Sequence, residues 1–459
     1  MIGPMSLIVQ NLYAELVDRC ASAAFAADFP LNGSFVRVTI KRRNYWYFQA
    51  GRRGESGTQH RKYVGPDNAE IRRQIAEHGR AKDDYRERRR LIALLHRSGF
   101  QSPPDEVGGV LQALSAAGVF RLRACLVGTS AYQVYGPMLG VRLPIASLQT
   151  QDVDIAQFSA VSLAIAKDER IPSLIQILKT ADPTFRAVPR FQDPSTTVAY
   201  VNQRGLRVEI LAESRGPERQ APTELPSIGT HAQPLRFLDF LIRDERRAAV
   251  LHDVGVLVNV PAPERYALHK LIITQRRPTG AAKIDKDFSQ AAALLRVLTD
   301  RRASQLREAW REATGRGPKW RQLLASGLGA ISVKIRDRTL QIVGETRAFV
   351  PGVDLRFTDD PIRYDEDSIS VILLGEDGDE LIRCLIRRDA LLDEYGADGK
   401  TKKGYIDAFQ RHRSEIERLV RHAYLSEPIK EIGVVRIDAL DVPRLRGALG
   451  AAAGRVRRR

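Results

Sequence analysis

Val127-Gly-Thr-Ser-Ala131, with Gln151-Asp-Val-Asp-Ile155 after it, is the stretch on which the fold reading turns. Ahead of it, Phe120-Arg-Leu-Arg-Ala-Cys-Leu-Val127 reads as a strand, and behind it Ala131-Tyr-Gln-Val-Tyr135 reads as the start of a helix. A strand that runs through Gly128, Thr129 and Ser130 into a helix gathers small residues, hydroxyls and helix N-terminal amides at one turn. Such a turn lets the backbone approach a phosphate and hydrogen-bond its oxygens. Asp152-Val-Asp154 then reads as a second strand. Residues i and i+2 of a strand project to one face, so both carboxylates point the same way while Val153 packs. Two like charges side by side cost stability unless a cation sits between them, which is the arrangement a divalent metal takes. Singly, each piece has an ordinary reading as well: a common strand–glycine–helix turn, and a pair of solvated acids at a strand edge.

Downstream, Thr196 to Leu211 reads as a hairpin turning at Gln203-Arg-Gly205. In Leu206-Arg-Val-Glu-Ile210 the aliphatic residues form one face, which places Glu209 with Arg207 and Leu211 on the other. If the aliphatic face packs under helices, Glu209 shares an open face with Asp152 and Asp154. Upstream, Val107, Val110, Leu111 and Leu114 recur at helical spacing and Gly118 suits a C-cap. Gly136-Pro-Met-Leu-Gly-Val-Arg-Leu-Pro144 reads as an inserted loop, and Ile171 to Lys179 as a helix.

Toward the N-terminus, Phe35 to Lys41, Tyr45 to Gln49 and Arg61 to Gly65 alternate apolar and basic residues and predict a small antiparallel meander. Its Tyr45, Trp46, Tyr47 and Phe48 alternate with Lys41, Arg42, Arg43, Arg52, Arg53, Arg61 and Lys62. That mixture suits RNA or another single-stranded nucleic acid, and equally suits the core face of a sheet. Asn68 is placed to cap a highly charged helix from Ala69 to His96, ending before Gly99. Toward the C-terminus, a Pro-, Gly- and charge-rich loop from Glu213 to Pro234 precedes a helical stretch carrying Tyr266 to Ile273 and Phe288 to Leu295. From Ile331 the pattern returns to strands (Ile331 to Ile335, Ser370 to Leu374, Leu381 to Ile386), then to a helix from Tyr405 to Ala423. No internal repeat is present.

Composition bounds the rest. A chain of 459 residues, 43% hydrophobic and 28% charged, builds a sizeable core and about three domains. A net charge of +17 favours polyanionic partners. No apolar stretch reaches a membrane span, the N-terminus does not read as a secretory signal, and Cys20, Cys125 and Cys384 are too few for a disulfide scaffold or a cysteine-rich zinc module. A cytoplasmic location without membrane association is the expectation. Cys384 reads as core, His269 as a partly buried helix residue, and His412 and His422 as lying on a charged helix.

The order of turn, Asp-x-Asp strand and later acid resembles nucleotidyltransferases of the DNA polymerase β-like superfamily. More narrowly, the chain is similar to a bacterial subfamily of nucleotidyltransferase-fold proteins. The closer resemblance rests on Val127-Gly-Thr-Ser-Ala131, Gln151-Asp-Val-Asp-Ile155, Ala232-Gln-Pro-Leu-Arg-Phe-Leu-Asp-Phe240 and Tyr266-Ala-Leu-His-Lys-Leu271, and covers roughly residues 5 to 300. It implies transfer of a nucleoside monophosphate from an NTP by two-metal chemistry, with Asp152, Asp154 and Glu209 as catalytic and metal-holding residues for Mg²⁺ or Mn²⁺. It implies too that Gly128, Thr129 and Ser130 hold the triphosphate. Lys270-Leu271, Arg276-Arg277 and Lys286-Asp287 fit the pattern by which toxin-like relatives bring Lys270 and Lys286 to phosphate. Thr129 stands where the family often has Gly or Ser, and Glu209 stands in place of an Asp. Asp379 to Ala390 and Phe409 to Glu417 resemble a small bacterial domain of unknown function.

The expected fold is α+β and multidomain. It has an N-terminal helix, meander and charged helix (1–100), a nucleotidyltransferase-like mixed sheet with flanking helices (101–235) and a helical extension (236–325). A small αβ domain (329–425) and a basic tail (426–459) follow. The acceptor stays open among RNA, a protein hydroxyl and a small molecule. Two rival readings stay open: an inactive, nucleic-acid-binding member of the fold, and the toxin of a toxin–antitoxin or phage-defence pair with a partner protein.

Overall fold

The chain divides into two units, Met1–Ala262 and Pro263–Arg459. The computed structural model describes all residues except 1, 2, 4, 24–33, 41, 42, 50–60, 145–151, 167–170, 191, 192, 194, 195, 215–220, 278–282, 379 and 457–459. In the first unit, α1 (Leu7–Ala23) buries Tyr13, Leu16 and Cys20 in a cluster with Leu91, Ile92 and Leu95. Strands β1 (Ser34–Ile40), β2 (Arg43–Gln49) and β3 (Arg61–Pro66) form the expected antiparallel meander. Phe35 and Phe48 pair across β1 and β2 with ring centroids 5.2 Å apart, edge to face. Helix α2 (Ala69–Arg97) starts where Asn68 predicts, its Oδ1 accepting from the Ile71 amide at 2.9 Å. It supplies Leu91, Ile92 and Leu95 to the α1 cluster, and its Asp84 accepts from Arg19 and Arg88.

Helix α3 (Asp105–Ala116) buries Val107, Val110, Leu111 and Leu114, and Gly118 (φ +86°) turns the chain out of it. A mixed sheet follows, built from β4 (Cys125–Val127), β5 (Asp152–Ala156), β6 (Arg186–Ala187), β7 (Ala199–Val201), β8 (Arg207–Glu213), β9 (Thr223–Leu225) and β10 (Thr230–Leu235). Its order is β4-β5-β8-β10-β9, with β7 also on β8 and β6 on β7. The intervening helices are α4 (Gly128–Leu139), α5 (Ser159–Ile165) and α6 (Leu174–Ala181). Helix α7 (Leu238–Leu241) and the hairpin β11 (Glu245–Val250) and β12 (Val256–Pro261) complete the unit.

Four expectations change here. The strand anticipated from Phe120 is extended only over Cys125–Val127, because Leu122 and Ala124 donate back to Gly118 and Val119 and hold a tight turn. The inserted loop from Gly136 is instead the end of α4, which carries Pro137 in its last turn and stops at Gly140 in the left-handed region; residues 145–151 lie outside the described ones. Helix α6 starts at Leu174, set by a capping box between Ser173 and Gln176. The loop from Glu213 to Pro234 holds β9 and β10, drawn into the sheet by parallel pairing of Gln233 with Leu211, so strands continue to Pro261 in the stretch expected to be helical.

The second unit opens with α8 (Pro263–Thr274), α9 (Lys283–Arg301), α10 (Ala303–Gly315), α11 (Pro318–Gly329) and α12 (Val333–Val343). Next comes a sheet of β13 (Arg356–Phe357), β14 (Arg363–Asp365), β15 (Ser370–Asp377), β16 (Glu380–Arg387) and β17 (Val434–Ile437), with α13 (Arg388–Asp393), α14 (Lys402–Arg411), α15 (Arg413–Ser426) and α16 (Asp441–Val456). Ile331 to Ile335, expected as a strand, leads into α12, whose Arg336, Asp337, Leu340 and Val343 are buried at helical spacing. The single helix expected from Tyr405 breaks at His412, whose ring packs 5.2 Å from Tyr395. The expected tail carries β17, parallel to β16, and α16, whose Val442 and Leu445 lie in the core. Cys384 is fully buried in that core, as expected. Among the described residues no helix is long and apolar enough to cross a membrane.

Candidate active site

Val127 pairs with Asp154 in the antiparallel β4–β5 ladder, so the next residue, Gly128, leaves the sheet beside Asp154. Its φ is +65°, and a Cβ built there would stand 2.1 Å from Asp154 Oδ2. Glycine is therefore demanded twice, by the backbone conformation and by the carboxylate lying over it. Strands β5 and β8 run parallel with Asp152 opposite Arg207, Val153 opposite Val208 and Asp154 opposite Glu209. Side-by-side residues share a face of a sheet. Val153, Ile155, Val208 and Ile210 are all 0% exposed on one face. Asp152, Asp154, Arg207 and Glu209, each half-buried, occupy the other.

Helix α4 begins at the same turn, and no side chain caps it at Val127. Its two hydroxyls are placed differently. Ser130 is buried and donates from Oγ to the Asp152 carbonyl at 3.2 Å, tying α4 to the strand that carries the aspartates. Thr129 is half-buried. The sequence pattern treated the two hydroxyls alike; what separates them is the β5 backbone passing next to Ser130.

Arg207 is the residue to which the sequence assigned no role. Its Nε donates to Glu209 Oε1 at 2.5 Å, with side-chain exposures of 41% and 38%. The i, i+2 spacing of Arg207 and Glu209 on one strand was the available signal. Among the described residues, no group of three His, Cys, Asp or Glu side chains stands close enough together to hold a metal ion. The donor set nevertheless suits a hard divalent cation, since it offers only carboxylate oxygens on a shared face. Asp152, Asp154 and Glu209 are the residues that could hold such an ion.

Lys270 and Lys286 lie in the second unit. Lys270, buried in α8, donates from Nζ to Asp287 Oδ1 at 2.5 Å, and Arg277 donates to Asp287 Oδ2 at 3.0 Å. Lys286 is half-buried in the first turn of α9, next to Asp287. Buried His269 has its pKa pushed down to about 3, first by burial and then by the charges of Lys270 and Arg277. Its imidazole is neutral, as a core histidine requires. In the meander, the Trp46 indole donates to Asp67 at 2.9 Å and Arg72 donates to the same oxygen at 2.8 Å. These two donors, Arg72 first, hold the Asp67 carboxyl down to about 2. Lys41, Arg42, Arg52 and Arg53 lie outside the described residues.

Residues 105–315 match a family described as nucleotidyltransferase, and residues 355–437 match one described as a protein of unknown function, DUF1488. No curated protein matches the chain. Among solved structures the chain is similar to an antigenic nucleotidyltransferase-like protein from Paracoccidioides brasiliensis, at 15% identity over 49% of this chain and 94% of that one, with a TM-score of 0.25.

Proposed function

We propose, from the match of residues 105–315 to the nucleotidyltransferase family, that the protein moves a nucleoside monophosphate from a nucleoside triphosphate to an acceptor hydroxyl. The observation that carries this reading is the register that seats Asp154 beside Glu209 and over the Gly128 turn. Acids for a cation and a helix N-terminus for phosphate thus meet at one corner of the sheet.

Each residue has a role in this reading. Asp152, Asp154 and Glu209 would hold Mg²⁺ or Mn²⁺, and the ion would supply positive charge to offset that of the reacting phosphate oxygens. The amides of Gly128, Thr129 and Ser130 at the start of α4 bind the outer phosphates, where the helix dipole favours negative charge. The Thr129 hydroxyl adds a donor, while Ser130 keeps Asp152 in place. The acceptor oxygen attacks the α-phosphorus, its proton passes to Glu209, and the bond to the bridging oxygen breaks so that pyrophosphate departs with the electron pair. The family pattern further assigns Lys270 and Lys286 to phosphate, as point charges.

The test is transfer of label from each α-labelled NTP, with Mg²⁺, to total cellular RNA or protein. We expect transfer by the native protein and its loss in Asp152→Asn and Asp154→Asn; absence of transfer, or transfer that survives both substitutions, overturns the reading. One observation favours a second reading: Glu209 is held by Arg207 instead of grouping with the aspartates. In that reading the fold binds nucleic acid without catalysis. It predicts salt-sensitive binding that neither aspartate substitution alters.

A further inference from the structure

We infer that Arg207 is a resident counter-cation of the acidic face, whose guanidinium stands in for a divalent ion and must release Glu209 before the metal-holding set is complete. The inference rests on the metal-dependent reading above and adds to it a positioning residue. Three observations carry it. Arg207 lies opposite Asp152 and two residues before Glu209, which is itself opposite Asp154, so the one basic group of this register shares a face with all three acids. Its Nε holds Glu209 Oε1 at 2.5 Å. Among the described residues no three acids are grouped for a metal, as expected if one of the three carboxylates is spent on a guanidinium.

Exposure makes the exchange feasible. With side chains 41% and 38% exposed, the pair keeps much of its hydration, and such pairs are weak. A divalent ion offers the same carboxylates twice the charge at shorter range. Removing Arg207 would take this partner from Glu209 on a face that also carries Asp152 and Asp154, and would raise the pull of that face on a cation. Arg207 therefore sets the cation concentration at which Glu209 changes partner, without itself touching the reacting atoms.

The probe is Mn²⁺ alone, without nucleotide, titrated into the full-length protein and followed by the electron paramagnetic resonance signal of the free ion. We expect Arg207→Gln to tighten Mn²⁺ binding by about three- to tenfold, a magnitude set by the modest strength of exposed ion pairs. Arg207→Lys should stay near the native value. In a Glu209→Gln background the same Arg207→Gln change should lose most of its effect. Should Arg207→Gln fail to fold, Arg207→Met keeps the aliphatic stem and should give the same direction. Native-like or weaker binding in Arg207→Gln and Arg207→Met overturns the inference while leaving the metal-dependent reading intact. So does a gain that persists undiminished in the Glu209→Gln background, since it would mean that Arg207 acts through bulk charge and not through Glu209. Absence of Mn²⁺ binding in the native protein and every variant overturns the metal-dependent reading and the inference with it.

Discussion

Two groups of arginines and acids in this protein use the same ions under opposite conditions. On the β5–β8 face, Arg207 and Glu209 meet with roughly four-tenths of each side chain in water. In the second unit, Asp337, Arg347, Arg336 and Asp377 are 0, 3, 4 and 6% exposed. There, Asp337 accepts from Arg336 at 3.2 Å and from Arg347 at 3.0 and 2.9 Å, while Asp377 accepts from Arg336 and the Tyr424 hydroxyl at 2.5 Å each. Arg347 also donates to the Tyr424 carbonyl at 3.1 Å and lies 3.9 Å over its ring. Burial with every partner in place fixes α12, β15 and α15 to one another, because losing any member strands a charge in a dry interior. Partial exposure leaves a pair that water and other cations can replace. The difference in solvent access, not in chemistry, separates a structural network from a face suited to exchange.

The largest effect that would sharpen the contrast is on activity. Asp154→Asn should lower label transfer by about a thousandfold, several kcal/mol of lost electrostatic stabilisation, while leaving the unfolding midpoint nearly unchanged. A midpoint that falls steeply would show the exposed face to be structural after all. Next, Asp337→Asn should destabilise the second unit by about 3–5 kcal/mol in chemical denaturation. A loss below about 1 kcal/mol would place the network with ordinary surface pairs and dissolve the distinction.

A smaller effect comes from His269, which is buried beside like charges instead of opposite ones. Its pKa is about 3 folded against 6.5 in the free side chain, so unfolding takes up a proton at any pH between these values. Stability is full above about pH 6.5 and declines as pH falls toward 3, by about 1.4 kcal/mol per pH unit. Denaturation midpoints at pH 7 and 5 should show that decline, and His269→Gln should flatten it. The smallest effect belongs to Asp67, lowered from 3.8 to about 2 by Arg72 and Trp46. Its contribution is present above pH 3.8 and lost as pH falls to 2, which a slight shift in tryptophan emission should report and Asp67→Asn should abolish.

The acidic face was legible because strand alternation is a local rule. Val153, Ile155, Val208 and Ile210 declare the packed side, and the acids take what remains. Caps were legible for the same reason: Asn68 and Gly118 act within a few residues of themselves. What escaped the sequence depends on distant partners. Strands β9 and β10 come from a Pro- and Gly-rich segment that only pairing with β8 makes extended. Arg336 and Asp337 look like a solvated helix face until Asp377 and Arg347 arrive from elsewhere in the chain. The partner of Glu209 could have been read from its spacing to Arg207; the burial of Ser130 against the Asp152 carbonyl could not.

The family match to the C-terminal module stops at residue 437, yet the fold does not. Val442 and Leu445 of α16 are 0 and 1% exposed and belong to the same core as Cys384 and Phe409. A fragment that stops at residue 437 would bare a greasy flank of α15 and should precipitate or recruit other chains, whereas one running from α12 through Val456 should stay dispersed. Anyone dissecting this module gene by gene should set the stop codon after α16.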